Sequence, residues 1–244
     1  MKLLKEFLNS INIEIDSSQM EQLNIYREML SQKNKAMNLT AINDPQDVEI
    51  KHFIDSVSII PYLQQALSKT GDSIESCNII DVGTGAGFPG LPIKIIFPGI
   101  KITLMDSLQK RVAFLQDVVN QLELENVTCL HGRAEDMAQM PQLREKFDIA
   151  VARAVAPLPV LSEYCLPFVR RNMIFAAMKS KLSEEASISE YSIKVLGGQI
   201  ETLNEFYLPG TDIFRSLLII RKKNPTPSKY PRKAGKPEKE PLKA

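Results

Sequence analysis

Asn78-Ile79-Ile80-Asp81-Val82-Gly83-Thr84-Gly85-Ala86-Gly87-Phe88-Pro89-Gly90 is the stretch on which the fold turns. Residues 78–82 form a short apolar run that ends in glycines, the pattern of a buried parallel strand. Glycines at a strand-to-helix turn accept positive φ and let a ligand approach bare main chain. Pro89 has no N–H and suits a turn or a first helical position. Asp106 follows Gly83 by 23 residues, at the end of a second expected strand, Lys101 to Met105. A carboxylate there is placed to accept hydrogen bonds from both hydroxyls of an adenosine ribose. Glycines after a strand and before a helix, with an acid at this distance, point to a nucleoside cofactor.

The pattern continues outward on both sides. Downstream, residues 91–97 read as helix, and Leu108, Val112, Leu115, Val119 and Leu122 form an apolar helical stripe that Ser107 is placed to cap. Residues 127–130, 147–151 and 173–177 read as further strands, and 199–207 and 215–221 as two closing ones. Strand alternating with helix predicts an α/β fold, a mostly parallel seven-stranded sheet with helices on both faces. Right-handed crossovers put the strand-to-helix turns on one ligand-binding edge. Upstream, roughly the first 70 residues read as a helical extension. Ser18 to Glu21 has the form of a capping box, and Asp44-Pro45 turns the chain into a helix carrying His52, Phe53 and Asp55-Ser56. The expected organisation is therefore 1–70 helical, 71–221 cofactor-binding, and 222–244 a tail.

Composition narrows the classes. The 244 residues are 44% hydrophobic and 24% charged, ordinary for a globular chain. No apolar run reaches the roughly 18 residues of a membrane span, and no secretory signal is legible. Three cysteines without metal-type spacing and only two histidines argue against a metal site, so a reduced, cytoplasmic, metal-free protein is expected; that it is a monomer is an assumption drawn from no residue. The net charge of +1 is unevenly spread: residues 222–244 hold eight basic and two acidic residues, +6, which leaves −5 elsewhere. Five of the fifteen prolines are also there. Such a segment is either a solvated end or an arm that seeks phosphates.

The glycine turn also speaks to the kind of cofactor. A dinucleotide wants its pyrophosphate at the helix amino terminus, which Phe88 and Pro89 crowd. S-adenosyl-L-methionine has no phosphate and needs only the loop. Gly132-Arg133-Ala134-Glu135-Asp136, after the third strand, is the turn that would border its adenine, or else simply an acidic helix start. Arg153, between small apolar residues at the end of the fourth strand, either pairs with a core acid or faces the ligand or nucleic acid. His52 reads as a structural helix residue, and Cys165, in an apolar helix, lacks the neighbours that activate a nucleophile.

Several pieces together resemble the bacterial glucose-inhibited division protein B family of small-subunit ribosomal RNA (guanine-N7)-methyltransferases. They are Asn38-Leu39-Thr40, His52 to Ser56, Asp81 to Gly90, Asp106-Ser107 with Lys110-Arg111, Arg133-Ala134-Glu135, Ala152 to Ala156, and Thr226 to Pro237. The resemblance implies a class I S-adenosylmethionine-dependent fold and methylation of N7 of guanine 527 in the 530 loop of 16S rRNA. It also carries cofactor contacts onto Gly83, Phe88, Ala134, Glu135 and Arg153, to which the fold logic adds Asp106. Two departures stand out: Asn172-Met173 where the family usually has a glycine pair, and Lys179-Ser180 where it usually has Lys-Gly.

Guanine N7 carries an in-plane lone pair and no proton, so its methylation requires positioning and no general base. Lys110-Arg111, Arg170-Arg171 and the tail are candidate phosphate contacts to small-subunit rRNA. A nicotinamide-dependent oxidoreductase and a non-catalytic rRNA-binding protein remain as other classes. The crowded turn opposes the first, and the intact glycine loop with Asp106 and Glu135 opposes the second.

Overall fold

A computed structural model describes residues 1–37 and 39–243. Asn38, part of the Asn-Leu-Thr piece, lies outside the described residues. Seven strands form one sheet: β1 (Asn78–Val82), β2 (Lys101–Asp106), β3 (Val127–His131), β4 (Phe147–Arg153), β5 (Val169–Lys179), β6 (Gly198–Tyr207) and β7 (Phe214–Lys222). Their order is β3-β2-β1-β4-β5-β7-β6. The first five run parallel, and β7 inserts antiparallel between β5 and β6. The order reverses between β1 and β4, so their carboxyl ends flank the crevice in which such sheets bind ligands.

Hydrophobic content decides which strands lie at the centre. β1 and β4 are mostly Ile, Val and Ala, with residues 79–82 and 149–152 buried throughout, as parallel strands covered by helices must be. The outer β3 and β6 alternate between exposed and covered residues. β5 is longer than the expected 173–177 because it begins at Val169 and passes through Asn172 at φ +68°. Of non-glycine residues asparagine tolerates that left-handed conformation best.

The helices cover both faces: α1 (Lys2–Ser10), α2 (Ser17–Met37), α3 (Pro45–Val48), α4 (Asp55–Val57), α5 (Ile60–Ser68), α6 (Gly90–Ile96), α7 (Gln109–Gln121), α8 (Ala134–Met137), α9 (Leu158–Cys165), α10 (Ser183–Val195) and α11 (Lys236–Lys239). A π-helical segment, Glu49–Ile54, joins α3 to α4. The amino-terminal helices are fastened to the sheet domain: Gln19 donates to the carbonyls of Ile95 and Ile96, and Gln22 to that of Leu122.

Three local expectations change. The box at the start of α2 is Asp16 with Gln19, each accepting the other's backbone N–H, two residues earlier than Ser18 to Glu21. Asp106 rather than Ser107 holds the start of α7, accepting the Leu108 N–H at 2.9 Å. Leu108 is 43% exposed because it precedes the helix at the ligand edge, whereas Val112, Leu115, Val119 and Leu122 are core.

The tail also differs from a free end. Arg144 donates to the carbonyls of Thr226 and Tyr230, both at 2.8 Å, and Arg232 pairs with the fully buried Glu163 at 2.6 Å. Polar anchors on the domain, together with the buried Tyr230 and Pro237, hold the tail in place.

Candidate functional site

The glycine loop leaves β1 with Gly83, Gly85 and Gly87 all at positive φ, +72°, +63° and +107°. Nothing lies within 4 Å of a Cβ built on Gly85, so that backbone is open. Gly87 differs: a Cβ there would meet Leu91 and stand 2.7 Å from the Tyr26 hydroxyl. Tyr26 is buried behind the loop and donates to the Ala86 carbonyl at 2.6 Å, so α2 supports the loop from beneath.

Phe88 belongs to that support. Its ring is buried, stacked on Tyr26 at 5.2 Å and on His52 at 4.7 Å, and it meets Phe53 edge-on. What Phe88 leaves for a ligand is main chain. His52 is structural too: its ring nitrogens lie 2.8 Å from Thr40 Oγ1 and 3.2 Å from Arg153 Nη2. Burial, and then the Arg153 charge, push His52 down to about 3, so the ring is neutral at physiological pH.

Asp81 closes the far end of the loop. One carboxylate oxygen accepts from Thr84 Oγ1 at 2.7 Å and from the Gly90 N–H at 2.8 Å. The other, Oδ1, is buried without a hydrogen-bond partner. Burial raises the group to about 6, against the Thr84 and Gly90 hydrogen bonds and the Arg153 charge. The Leu91 and Ile93 amides donate to Gly87 and Pro89 carbonyls, and Pro92 has none to give. The mouth of α6 is thus filled by the protein's own carboxylate and carbonyls. A pyrophosphate would find no free N–H there and a negative charge already in place.

Asp106 sits across the crevice, almost fully buried. Its carboxylate receives the Gly85 N–H at 3.0 Å, the Leu108 N–H at 2.9 Å and Arg111 at 3.3 Å. These bonds fix both oxygens at the carboxyl end of β2, and a carboxylate has about four acceptor sites in all. Ala134 opens α8 on the same edge. The Glu135 side chain turns away from the crevice and accepts the Gly235 N–H at 2.9 Å.

Arg153, at the end of β4, pairs with a core acid, the first of the two alternatives held for it. It donates to Asp55 at 3.0 Å and to the Lys51 carbonyl at 3.0 Å, lies over the Phe88 ring, and still lines a cavity of about 640 Å³. Lys51, Lys179, Glu185 and Arg215 line it as well. Arg215, from β7, gives Asp55 its second guanidinium, at 2.7 Å. Lys179 pairs with Glu185 at 3.2 Å. Four cations against two carboxylates make this a positive recess, beside the glycine loop and separated from it by Ala154 to Ala156. Val155 presses on Gly83: a Cβ built there would be 2.8 Å from its methyl.

The structure brings Gly83, Asp106 and Arg153 to one edge, puts Phe88 beneath it, and sets Ala134 and Glu135 at its margin. Sequence reading missed Asp55, Arg215 and the role of Asp81. An arginine opening the apolar run Arg215-Ser-Leu-Leu-Ile-Ile was the available signal for the second of these. Burial raises the Cys165 thiol well above its ordinary value, and Cys77 and Cys129 to about 12 and 11, so none is poised as a thiolate. Among the described residues there is no cluster of three metal-ligating side chains, and no helix is long and apolar enough to cross a membrane.

Known proteins share this architecture and sequence. The family model for rRNA small subunit methyltransferase G matches residues 19–210. A ribosomal RNA small subunit methyltransferase G from Acetivibrio thermocellus is 47% identical over 241 residues, 99% of this chain and 96% of its own. The protein of that name from Alkaliphilus oremlandii is 50% identical over 242 residues, 99% and 98%. Among solved structures, an S-adenosylmethionine-dependent methyltransferase from Aquifex aeolicus superimposes with a TM-score of 0.54 at 18% identity, covering 78% of this chain and 97% of that one; this likeness concerns the fold. With an α/β class I methyltransferase sheet and a family match over most of its length, the chain belongs to the rRNA small subunit methyltransferase G family, the glucose-inhibited division protein B family.

Proposed function

We propose that this protein transfers a methyl group from S-adenosyl-L-methionine to N7 of a guanine in small-subunit rRNA, guanine 527 of the 530 loop, in the cytoplasm. The observation that carries the choice of cofactor is Asp81: its carboxylate fills the helix mouth and leaves one buried oxygen unpartnered. That environment repels a diphosphate and suits a ligand bearing an ammonium group. The open Gly85 main chain, the remaining acceptor site of the Asp106 carboxylate for a ribose hydroxyl, and Ala134 for the adenine edge fit the same ligand. When bound, the cofactor supplies an electrophilic methyl on a sulfonium.

The remaining work falls to the chain. N7 needs no deprotonation, and no neutral, exposed base is required of the site. The base must be held still and in line. Asp55 locks the guanidiniums of Arg153 and Arg215 at the recess, where they attract the phosphates on either side of the target. One shared carboxylate offsets half of their charge and holds both guanidiniums in place, so the recess keeps a net positive charge for phosphates. Lys51 and Lys179 at the rim add to the attraction.

Small subunits from cells lacking the protein, incubated with it and methyl-labelled cofactor, test this directly. Borohydride and aniline cleave RNA at N7-methylguanine. One new, protein-dependent break in the 530 loop is expected. Label without that break moves the target atom or site. No label on good subunits overturns the enzymatic assignment in favour of RNA binding alone.

A further inference from the structure

The docked tail ends at the cofactor edge. Glu163, on α9, is fully buried, and Arg232 meets it three times: backbone N–H at 2.8 Å, Nε at 2.9 Å and Nη2 at 2.6 Å. Three residues later Gly235, at φ +78°, donates its N–H to Glu135. That left-handed turn begins α11, whose Glu238 accepts from the Tyr164 hydroxyl at 3.3 Å. Gln139, just beyond α8, donates to the Pro231 carbonyl at 2.8 Å. Both ends of α8 are therefore tied to residues 231–235.

A helix of four residues has no stability of its own, so α8 stands where its tertiary contacts put it. We propose that the carboxyl-terminal segment is part of the cofactor site: Arg232 and Gly235 are positioning residues that hold Glu135, and with it Ala134, against the adenine end of S-adenosylmethionine. This rests on the assignment above of the Ala134 turn to the cofactor. Arg232 fixes the segment because a lone Glu163 would be an uncompensated buried charge. Gly235 then makes the single link from the segment to α8's carboxylate. The tail's basic composition thus serves docking at Arg232, while Lys233, Lys239 and Lys243 form no ion pair among the described residues.

Coupling is reciprocal, so a tail that braces the cofactor edge is itself held by the cofactor. In the unaltered full-length protein, saturating S-adenosylmethionine slows hydrogen–deuterium exchange across residues 232–238, the Gly235 amide included. In Arg232→Met the cofactor Kd, measured by calorimetry, rises about tenfold, Arg232→Lys recovers part of it, and the salt slope of small-subunit binding stays unchanged. Unchanged exchange in the tail overturns the proposal even where Arg232→Met does not fold. So does an unchanged Kd in a folded Arg232→Met together with a flattened salt slope, which returns the tail to RNA. Glu135→Ala cuts the link at α8 itself: normal cofactor affinity in that folded variant overturns the brace. Weakened affinity there, with Arg232→Met normal, removes the brace alone.

Discussion

Arg153 donates to the Asp55 carboxylate at 3.0 Å across 98 residues of chain, joining the end of β4 to the amino-terminal helices. Arg215 reaches the same carboxylate from β7. Replacing Asp55 with Asn leaves two guanidiniums sharing a neutral amide. Stability in urea should fall by about 3 kcal/mol, the scale for breaking a buried pair. Methyl transfer to small subunits should drop at least about tenfold at saturating cofactor. A folded variant with normal turnover would detach this cluster from the RNA-facing recess.

Asp106→Asn tests the other side of the crevice. The amide still accepts the Gly85 or Leu108 N–H through its oxygen, so the turn survives. It loses the charge that receives ribose hydroxyls, a loss of about 1.5–3 kcal/mol. Calorimetry should show the cofactor Kd raised at least about tenfold. Affinity within a factor of two would mean that Asp106 only shapes the loop.

Two glycines of one loop should answer differently to alanine. At Gly87 the new methyl meets Leu91 and the Tyr26 hydroxyl at positive φ, so thermal stability should fall by about 1–3 kcal/mol. At Gly85 there is room, the left-handed φ costs about 1–2 kcal/mol, and the methyl projects into the ligand's space. Gly85→Ala should therefore lose cofactor affinity out of proportion to its stability. Equal ratios of the two losses in both variants would contradict this division of labour.

His52 should leave a signature in the pH dependence of stability. Its native pKa is depressed to about 3 from an unfolded value near 6.5, so below pH 6.5 the unfolded chain binds the extra proton. Its contribution is complete above pH 6.5 and declines as the pH falls toward 3. Asp81, raised to about 6, works in the opposite sense between about 4 and 6. The clean comparison is His52→Gln against the unaltered protein by urea denaturation at pH 5 and 7.5. The variant should lose less stability on acidification; parallel losses would show that His52 takes a proton freely in the native state.

Asn172, a non-glycine residue at φ +68°, invites improvement. Glycine removes the left-handed penalty and adds unfolded-state entropy, so Asn172→Gly should change stability by only about 0.5 kcal/mol, in the stabilising direction. A melting curve shifted downward would show that the asparagine side chain does more than tolerate the turn.

The fold was legible because its signals are local and repeated. β1 was delimited residue for residue, and the glycine turn and Asp106 were found together at the sheet edge. What escaped is chemistry that depends on partners far apart in sequence. Nothing near Asp55 announces that residues 153 and 215 will meet it, and nothing in Pro-rich 222–244 announces the buried Glu163 that docks it. Phe88 shows the limit from the other side. Its position in the loop was right, but which way its ring points depended on Tyr26 and His52 arriving from the amino-terminal helices. Glu135 likewise sat at the correct turn, yet its carboxylate was taken by a residue 100 positions later.

The place of β7 in the sheet governs when the protein becomes competent during its own synthesis. Residues 214–222 supply the only strand that β6 pairs with, close the open flank of β5, and deliver Arg215 to Asp55. Until they leave the ribosome, the nascent chain has five parallel strands, an unpaired edge and half of its arginine pair. Folding of such a domain as a unit therefore waits for β7. A nascent chain without β7 lacks one wall of the cavity that Arg153, Lys179 and Arg215 line.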